Sequence, residues 1–371
     1  MLKRLDSSVL KQLKFPFYIF DKKKLIRQIN LFNNHFNGRV LYAVKSNPSK
    51  FVIKQLSRHG VSSFDAASLN EIKLIRKVIP KANIFFMNPV KSRNSIQKAY
   101  YEYNVKDFAL DSLEELEKIN EETNFSKKIN LHLRLRIKNN SSIINMSKKF
   151  GVDKKMAPKL LKKLSQNSEK VGLSFHVGSQ CMNPNAYENA INICSEVIYE
   201  SGVKLSFLNV GGGFPSSYPG FKKIPIKNYF KIIHKGFSNI KKTLSKNIEL
   251  LSEPGRSLVA ESMSLIVRVE LRKKDKLYIN DGIYGSLNNA GLRNFNYPVK
   301  IFNRDDKKSS LVPFSFYGPT CDSLDKMKGP FFLPNSIREG DLIEIKKMGA
   351  YSFTMKTDFN DLNEKNEIFT L

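Results

Sequence analysis

Short apolar runs alternate with segments of helical period through the first two thirds of the chain. Val40-Leu41-Tyr42-Ala43-Val44 is followed by a helical pattern from Phe51 to Arg58 that Gly60 stops. VSSF (61–64) leads to Ser68-Leu69-Asn70-Glu71, which reads as a capping box, with apolar Leu69, Ile72, Ile75 and Ile79 behind it. NIFFM (83–87) precedes a helix beginning near Ser92, and DFAL (107–110) precedes a second capping box, Ser112-Leu113-Glu114-Glu115. NLHLRLRI (130–137) alternates strictly, with a lysine-rich helix expected near Lys155. GLSFHV (172–177), LSFLNV (205–210) and IELLS (248–252) each lie beside a helical segment. Eight strand–helix units in succession predict an α/β fold of the (β/α)8 TIM-barrel kind, which typically takes ~250 residues.

After Ala260 the rhythm changes. MSLIVRVELRKK, DKLYINDGIYG, SSLVPFSFYG, DLIEIKKMG and AYSFTMK read as strands separated by Gly, Asn, Asp and Pro turns. The expected organisation is a barrel over 22–260 and a C-terminal all-β domain over 261–371. The N-terminal segment 1–21, with its strand-like FPFYIF, is expected to join the β domain.

Composition adds bounds. The 371 residues are 41% hydrophobic and 11% aromatic, which suits a globular chain with a sizeable core. No apolar run is long enough for a membrane span. The start, MLKRLDSSVLKQLKF, is basic but has no signal-peptide apolar core and runs directly into FPFYIF, so no cleaved leader is expected. The net charge of +28 is spread from end to end, in short clusters such as Lys22-Lys23-Lys24. No basic stripe interleaved with aromatics stands out, so solvated basic faces are expected rather than nucleic-acid binding. Cys181, Cys194 and Cys321 form no CxxC pair, which favours a reducing, cytoplasmic setting. No paired-histidine or cysteine-cluster spacing calls for a metal.

In a barrel of this kind the chemistry sits just past the C-terminal ends of the strands. Those positions hold Lys45, Asp65, Asn88, Asp111, Arg136, His176, Gly211-Gly212-Gly213 and Glu253, almost all polar, titratable or glycine. The loops after the seventh and eighth strands are the usual phosphate site, and here they read Gly211-Gly212-Gly213-Phe214-Pro215 and Glu253-Pro254-Gly255-Arg256. One lysine among 62 basic residues is ordinarily a solvated side chain. At a barrel mouth opposite a phosphate cup, however, Lys45 is placed to form a Schiff base with pyridoxal phosphate. Glu253 then suits the pyridine nitrogen and His176 the ring face. Cys321, beside Asp322 in YGPTCDSLDKM, reads as exposed and able to donate a proton. Cys194, in an apolar-patterned helix, reads as a core residue, and Cys181 is open between the two.

YAVKSNP, FDAASLNEI, FHVGSQ, NVGGGFP, SEPGRSLVA, NDGIYGS, GPTCDSLD and GAYS stand in the order found in the fold-type III pyridoxal-phosphate amino acid decarboxylases. The chain resembles that family, its ornithine decarboxylase branch most of all, over nearly its whole length. The resemblance implies Lys45 as the lysine that holds the cofactor, with Asp65 and Arg136 supporting the site. It implies His176 stacked on the ring and Ser179 at the phosphate. Gly211, Gly212, Gly213, Gly255, Arg256 and Tyr351 would complete the phosphate cup, and Glu253 would face the pyridine nitrogen. It further implies a homodimer whose GPTCD segment enters the partner's active site, with Cys321 as proton donor and Asp322 holding a distal amine.

Substrate choice stays open at this level. CDSLD resembles the ornithine/lysine branch, which implies decarboxylation of L-ornithine to putrescine and a place in polyamine synthesis. Arg293 stands near where ornithine decarboxylases carry an acid, and there it would suit a distal carboxylate, as in diaminopimelate; it can equally be an outward loop charge. Asn209 replaces an aspartate that often precedes the glycines, with little effect expected. An inactive regulatory homologue is the reading from another class, and intact Lys45, Glu253, Arg256 and Cys321 argue against it.

Overall fold

The computed structural model describes residues 13–139, 142–144, 148–222, 224–292, 295–302, 309–362 and 367–370. The chain divides into two compact units. One comprises 28–215 and 223–257; the other comprises the N-terminal segment to residue 27, 216–222 and 258–371. The excursion of 216–222 into the second unit has no signal in the hydrophobic pattern. The helix Lys22–His35 runs across the division.

The first unit is a closed barrel of eight parallel strands: Arg39–Ala43, Ser63–Ala66, Asn83–Phe86, Asp107–Leu110, Asn130–Leu135, Lys170–Phe175, Phe207–Asn209 and Glu249–Ser252. Closure follows from register: Leu251 pairs with Arg39 as Leu41 pairs with Ser63. Inward side chains Leu41, Phe85, Met87, Ala109, Phe207 and Leu251 pack a buried layer across the barrel. The interior is therefore filled, and chemistry is confined to the mouth.

Both expected capping boxes form only by half. Ser68 Oγ accepts the Glu71 N–H at 3.3 Å and Ser112 Oγ accepts the Glu115 N–H at 3.2 Å. The glutamates do not return the bond to the serine N–H. Glu71 Oε2 accepts from Ala67 N–H at 2.6 Å, and Glu115 Oε1 accepts from Lys91 N–H at 3.1 Å. Glu115 is drawn off by the buried Lys91 ammonium, 2.8 Å away. A buried charge needs a partner more than a helix end needs a second cap.

In the second unit, Phe17–Phe20 pairs antiparallel with Met263–Lys273, so the N-terminal strand belongs to this sheet. Phe17 and Ile19 pack on Ile266 and Phe302 in its core. The strands Met263–Lys273, Lys276–Ile279, Leu311–Tyr317 and Leu342–Lys346 fall inside the expected runs. AYSFTMK does not form a strand: Tyr351 has φ of 55° and Phe353–Met355 is a 3-10 turn. NDGIYG is likewise a turn, closed by Asp281 Oδ1 accepting from Gly282 and Ser286 N–H, both at 2.7 Å. Val299–Phe302, Lys326–Pro334 and Ile368–Thr370 are strands that the pattern did not single out.

Candidate active site

The first strand ends at Ala43, two residues before the lysine. Val44–Ser46 is a 3-10 turn, held by Ser46 Oγ donating to Ala43 O at 2.8 Å and Tyr42 OH donating to Asn47 O at 3.0 Å. That turn, rather than the strand, aims Lys45 across the mouth. Its Nζ donates to Asp65 Oδ2 at 3.0 Å, with the lysine side chain 37% exposed and Asp65 1%. A buried carboxylate thus holds an amine that solvent and ligand can still reach. Asp65 lies within its own strand, on the inward face.

Two strands round the barrel from the lysine stands the glycine loop. Gly211 O accepts from Glu253 N–H at 2.8 Å, Gly212 O from Tyr187 OH at 2.9 Å and Gly213 O from Cys181 N–H at 2.9 Å. Gly211 and Gly213 have φ of 65° and 102°. A Cβ at Gly211 would strike the carbonyl of Phe175, so the loop needs glycine on steric as well as conformational grounds. With its carbonyls engaged and the Gly211 N–H donated to Asn209 Oδ1, the chemistry such a loop offers an anion is the N–H groups of Gly212 and Gly213. Arg256, 5% exposed, places its guanidinium 3.5 Å from Ser179 Oγ. Gly255 packs against Ser46, which joins this loop to the lysine turn.

Glu253 is 8% exposed and is oriented by Asn209, whose Nδ2 donates to Oε1 at 2.7 Å. Burial, and after it the neighbouring Asp65, pushes the Glu253 carboxyl up to about 7, against the pull of Lys45, Arg134 and the Asn209 bond. His176 accepts Gly178 N–H on Nδ1 at 2.9 Å. Burial, then the cations Arg134 and Lys45, hold its pKa well below the usual histidine value. It is a neutral ring at physiological pH, suited to stacking.

Arg136 is exposed, with Nε donating to Gly151 O at 3.1 Å. The arginine that feels Glu253, Asp65 and Asp111 is Arg134, two residues earlier, with its guanidinium 5.5 Å from the Phe150 ring. Alternation along the run would put both arginines on one face, but the strand ends at Leu135 and Arg136 lies past it. Cys181 is buried and Cys194 lies buried in the helix Asn185–Ser201.

In the β unit, Cys321 is exposed and its N–H donates to Asn360 Oδ1 at 3.2 Å. Asp322 accepts from Leu324 N–H at 2.9 Å and from the Tyr284 hydroxyl, and these two bonds hold its carboxyl below the usual range. Tyr351 O accepts from Asn289 Nδ2 at 3.1 Å. Arg293 lies outside the described residues. The barrel unit therefore gathers Lys45, Asp65, His176, Ser179, Gly211, Gly212, Gly213, Glu253, Gly255 and Arg256, while Cys321 and Asp322 stand together in the other unit. Asn209, Arg134 and Tyr284 join these groups without having been singled out for a role. Among the described residues no three His, Cys, Asp or Glu side chains gather as a metal site, and no helix is long and apolar enough to cross a membrane.

A parallel barrel with a reachable lysine, a neutral stacking imidazole, a glycine–arginine anion cup and a buried carboxylate defines an enzyme built around a phosphorylated aldehyde cofactor with a basic ring nitrogen. The residues fit the group: Asp65 Oδ1 is buried with no hydrogen-bond partner among the described residues, beside the Lys45 amine, whose side chain is 37% exposed. Residues 22–260 match the pyridoxal-binding domain of the pyridoxal-dependent decarboxylases, and the chain belongs to that family. Its cofactor is pyridoxal 5'-phosphate and its activity that of a carboxy-lyase. The chain is 28% identical to a lysine/ornithine decarboxylase of Selenomonas ruminantium over 363 residues, covering 95% of this chain and 89% of that one. It is 31% identical to antizyme inhibitor 2 of Xenopus laevis over 344 residues, covering 87% and 74%. The crystal structure of the arginine decarboxylase of Paramecium bursaria Chlorella virus superposes with a TM-score of 0.86 at 26% identity, covering 98% of both chains.

Proposed function

We propose that the protein decarboxylates a basic L-amino acid, with L-ornithine as the substrate and putrescine as the product. The observation that carries this reading is the Asp322 carboxylate, half-buried on its own unit and kept anionic by Leu324 N–H and Tyr284 OH. A half-buried carboxylate held charged is a reader of ammonium groups. The lysine, ornithine and arginine named for the similar enzymes all carry a distal cation.

Lys45 Nζ would hold the cofactor covalently, with Ser179, the 211–213 loop, Gly255, Arg256 and Tyr351 taking its phosphate. When bound, pyridoxal phosphate supplies an electron sink for the pair left behind as the substrate carboxylate departs as CO2. Asp65 keeps the lysine amine in place. Glu253 holds a proton between its carboxylate and the ring nitrogen, and Asn209 keeps that carboxylate aimed. His176, neutral, covers the ring without adding charge. Cys321 Sγ delivers the proton that replaces CO2. In this reading the active form is a cytoplasmic homodimer in which Cys321 and Asp322 serve the partner's barrel, and it acts in polyamine synthesis. Arg136, exposed on its own chain, would support the cofactor only indirectly.

The rival substrate carries a distal carboxylate, as diaminopimelate does, and is favoured by the arginine at position 293. The rival from another class, a regulatory homologue without activity, draws on the similarity to antizyme inhibitor 2. Parallel CO2-release assays on ornithine, lysine, arginine and meso-diaminopimelate separate all three. Ornithine preference supports the proposal, diaminopimelate preference assigns Arg293 to the pocket, and no release despite bound cofactor supports the regulatory reading. Lys45→Ala should abolish the cofactor's protein-linked visible band, and sedimentation showing only monomer at full activity would remove the dimer.

A further inference from the structure

We propose that Asp325 and Asn360 are positioning residues that fix Cys321 and Asp322 relative to the turn carrying Tyr284. The proposal rests on the reading of Cys321 and Asp322 as site residues. Asp325 is 3% exposed. Its Oδ1 accepts the Ile283 N–H at 2.8 Å, while Oδ2 accepts the Thr320 N–H at 3.2 Å and the Thr320 hydroxyl at 2.7 Å. Its own N–H donates to Asp322 O at 3.0 Å, and its carbonyl accepts from Gly318 N–H at 2.9 Å. One buried carboxylate therefore spans two turns. On one side its donor is the residue before Tyr284; on the other it is the residue before Cys321. A Cβ on Gly282 or Gly318 would overlap this carboxylate, so both turns close on it only because they are glycine there.

The second hold comes from the far side of the loop. Asn360 Oδ1 accepts the Cys321 N–H at 3.2 Å. Asn360 has φ of 58°, a left-handed conformation that asparagine enters more readily than other residues with side chains, apart from aspartate. Its segment is tied to the Tyr284 turn by Thr357 N–H donating to Tyr284 O at 2.9 Å and by the Phe359 ring, 4.9 Å from that of Tyr284. The Cys321–Asp322 backbone is thus clamped to the Tyr284 turn from its buried side by Asp325 and from its exposed side by Asn360. A proton donor works only within hydrogen-bond reach of its target, and misplacement of about 1 Å can cost on the order of 100-fold. Asp325 and Asn360 would act through Cys321 and Asp322.

The test uses the full-length, cofactor-loaded protein with Asn360→Gly, Asn360→Asp and Asp325→Asn. Asn360→Gly keeps the left-handed backbone and removes only the acceptor, whereas Asn360→Asp keeps the acceptor. Cys181 and Cys194 are buried, so iodoacetamide labelling reports on Cys321. The second readout is the share of turnovers that end in a carbonyl by-product because the proton arrives at the wrong carbon. Asn360→Gly should label at least about threefold faster, within the range one hydrogen bond commands, and should raise the by-product share. Asn360→Asp should stay within about twofold of wild type by the same measure. Asp325→Asn should exceed Asn360→Gly in both readouts; if it does not fold, the Asn360 pair decides alone. Labelling and product ratio in Asn360→Gly both equal to wild type would overturn the clamp. A wild-type protein that releases no CO2 from any amino acid would defeat the proposed function, while the labelling comparison would still decide the clamp.

Discussion

Asn209 donates from Nδ2 to Glu253 Oε1 at 2.7 Å while its Oδ1 accepts the Gly211 N–H at 2.9 Å. One amide thus aims the buried carboxylate and anchors the glycine loop at once. An aspartate at 209 would face Glu253 with lone pairs only, beside a region that already holds Asp65. Asn209→Asp should therefore lower folding stability at pH 8 by about 2–4 kcal/mol and recover much of it by pH 5.5, as one carboxyl takes up a proton. Thermal unfolding at the two pH values checks it, and an unchanged gap would mean that the pair is well solvated.

Glu253 sets a second pH dependence. A carboxyl whose pKa is higher folded than unfolded adds stability below the unfolded value and loses it as pH rises through the folded one. With an ordinary value of 4.5 and a folded value of about 7, the loss falls between those limits. It should amount to roughly 3 kcal/mol in the cofactor-free protein. Glu253→Gln should match wild type near pH 5 and be the more stable protein at pH 8 in urea titrations. Parallel curves across that window would refute the burial argument.

The neutrality of His176 is open to direct observation. Burial, Arg134 and Lys45 all oppose its charged form, so its ring proton resonances should stay fixed between pH 8 and pH 6 while exposed histidines move. His176→Gln assigns the signal. A resonance titrating near pH 6.5 would show a solvated ring and remove the stacking argument.

Lys91 tests the scaffold behind the mouth. Its side chain is fully buried, and Nζ meets Ala109 O at 2.5 Å, Asn88 O at 3.0 Å and Glu115 Oε1 at 2.8 Å; burial pulls its pKa down to about 8. Lys91→Met strands Glu115 in the interior with Lys118 as its remaining cation, and should cost about 3–5 kcal/mol in denaturant unfolding. Adding Glu115→Leu should restore most of that loss.

Much of the barrel was legible because its signals are local. DFAL forms a strand over its full expected length, and the other barrel strands lie within about two to three residues of their expected starts and ends, the usual uncertainty of boundaries. AYSFTMK misled because its aromatic and apolar residues have the composition of a strand, whereas Tyr351 is left-handed and Phe353–Met355 is a 3-10 turn. Val299–Phe302 and Ile368–Thr370 are short runs whose pairing partners lie far away in the chain, so they carry little local signal. The glycine loop and Arg256 were visible as motifs. Arg134 and Arg136 were not separable, since alternation assigns a face and not where the strand ends.

By itself the sequence determined the strand–helix alternation, the residues at the strand ends and the eight ordered motifs, because periodicity and turn chemistry act over a few neighbouring residues. Tertiary structure alone decided that a 3-10 turn rather than the strand aims Lys45, and that Glu115 abandons its helix cap for a buried ammonium. It alone brought Asn209 to Glu253, 44 residues apart in the chain, and Tyr284 to Asp322, 38 apart. Hydrogen-bond partners and shifted protonation depend on which distant groups share a low-dielectric space, and that information exists only once the chain has closed on itself.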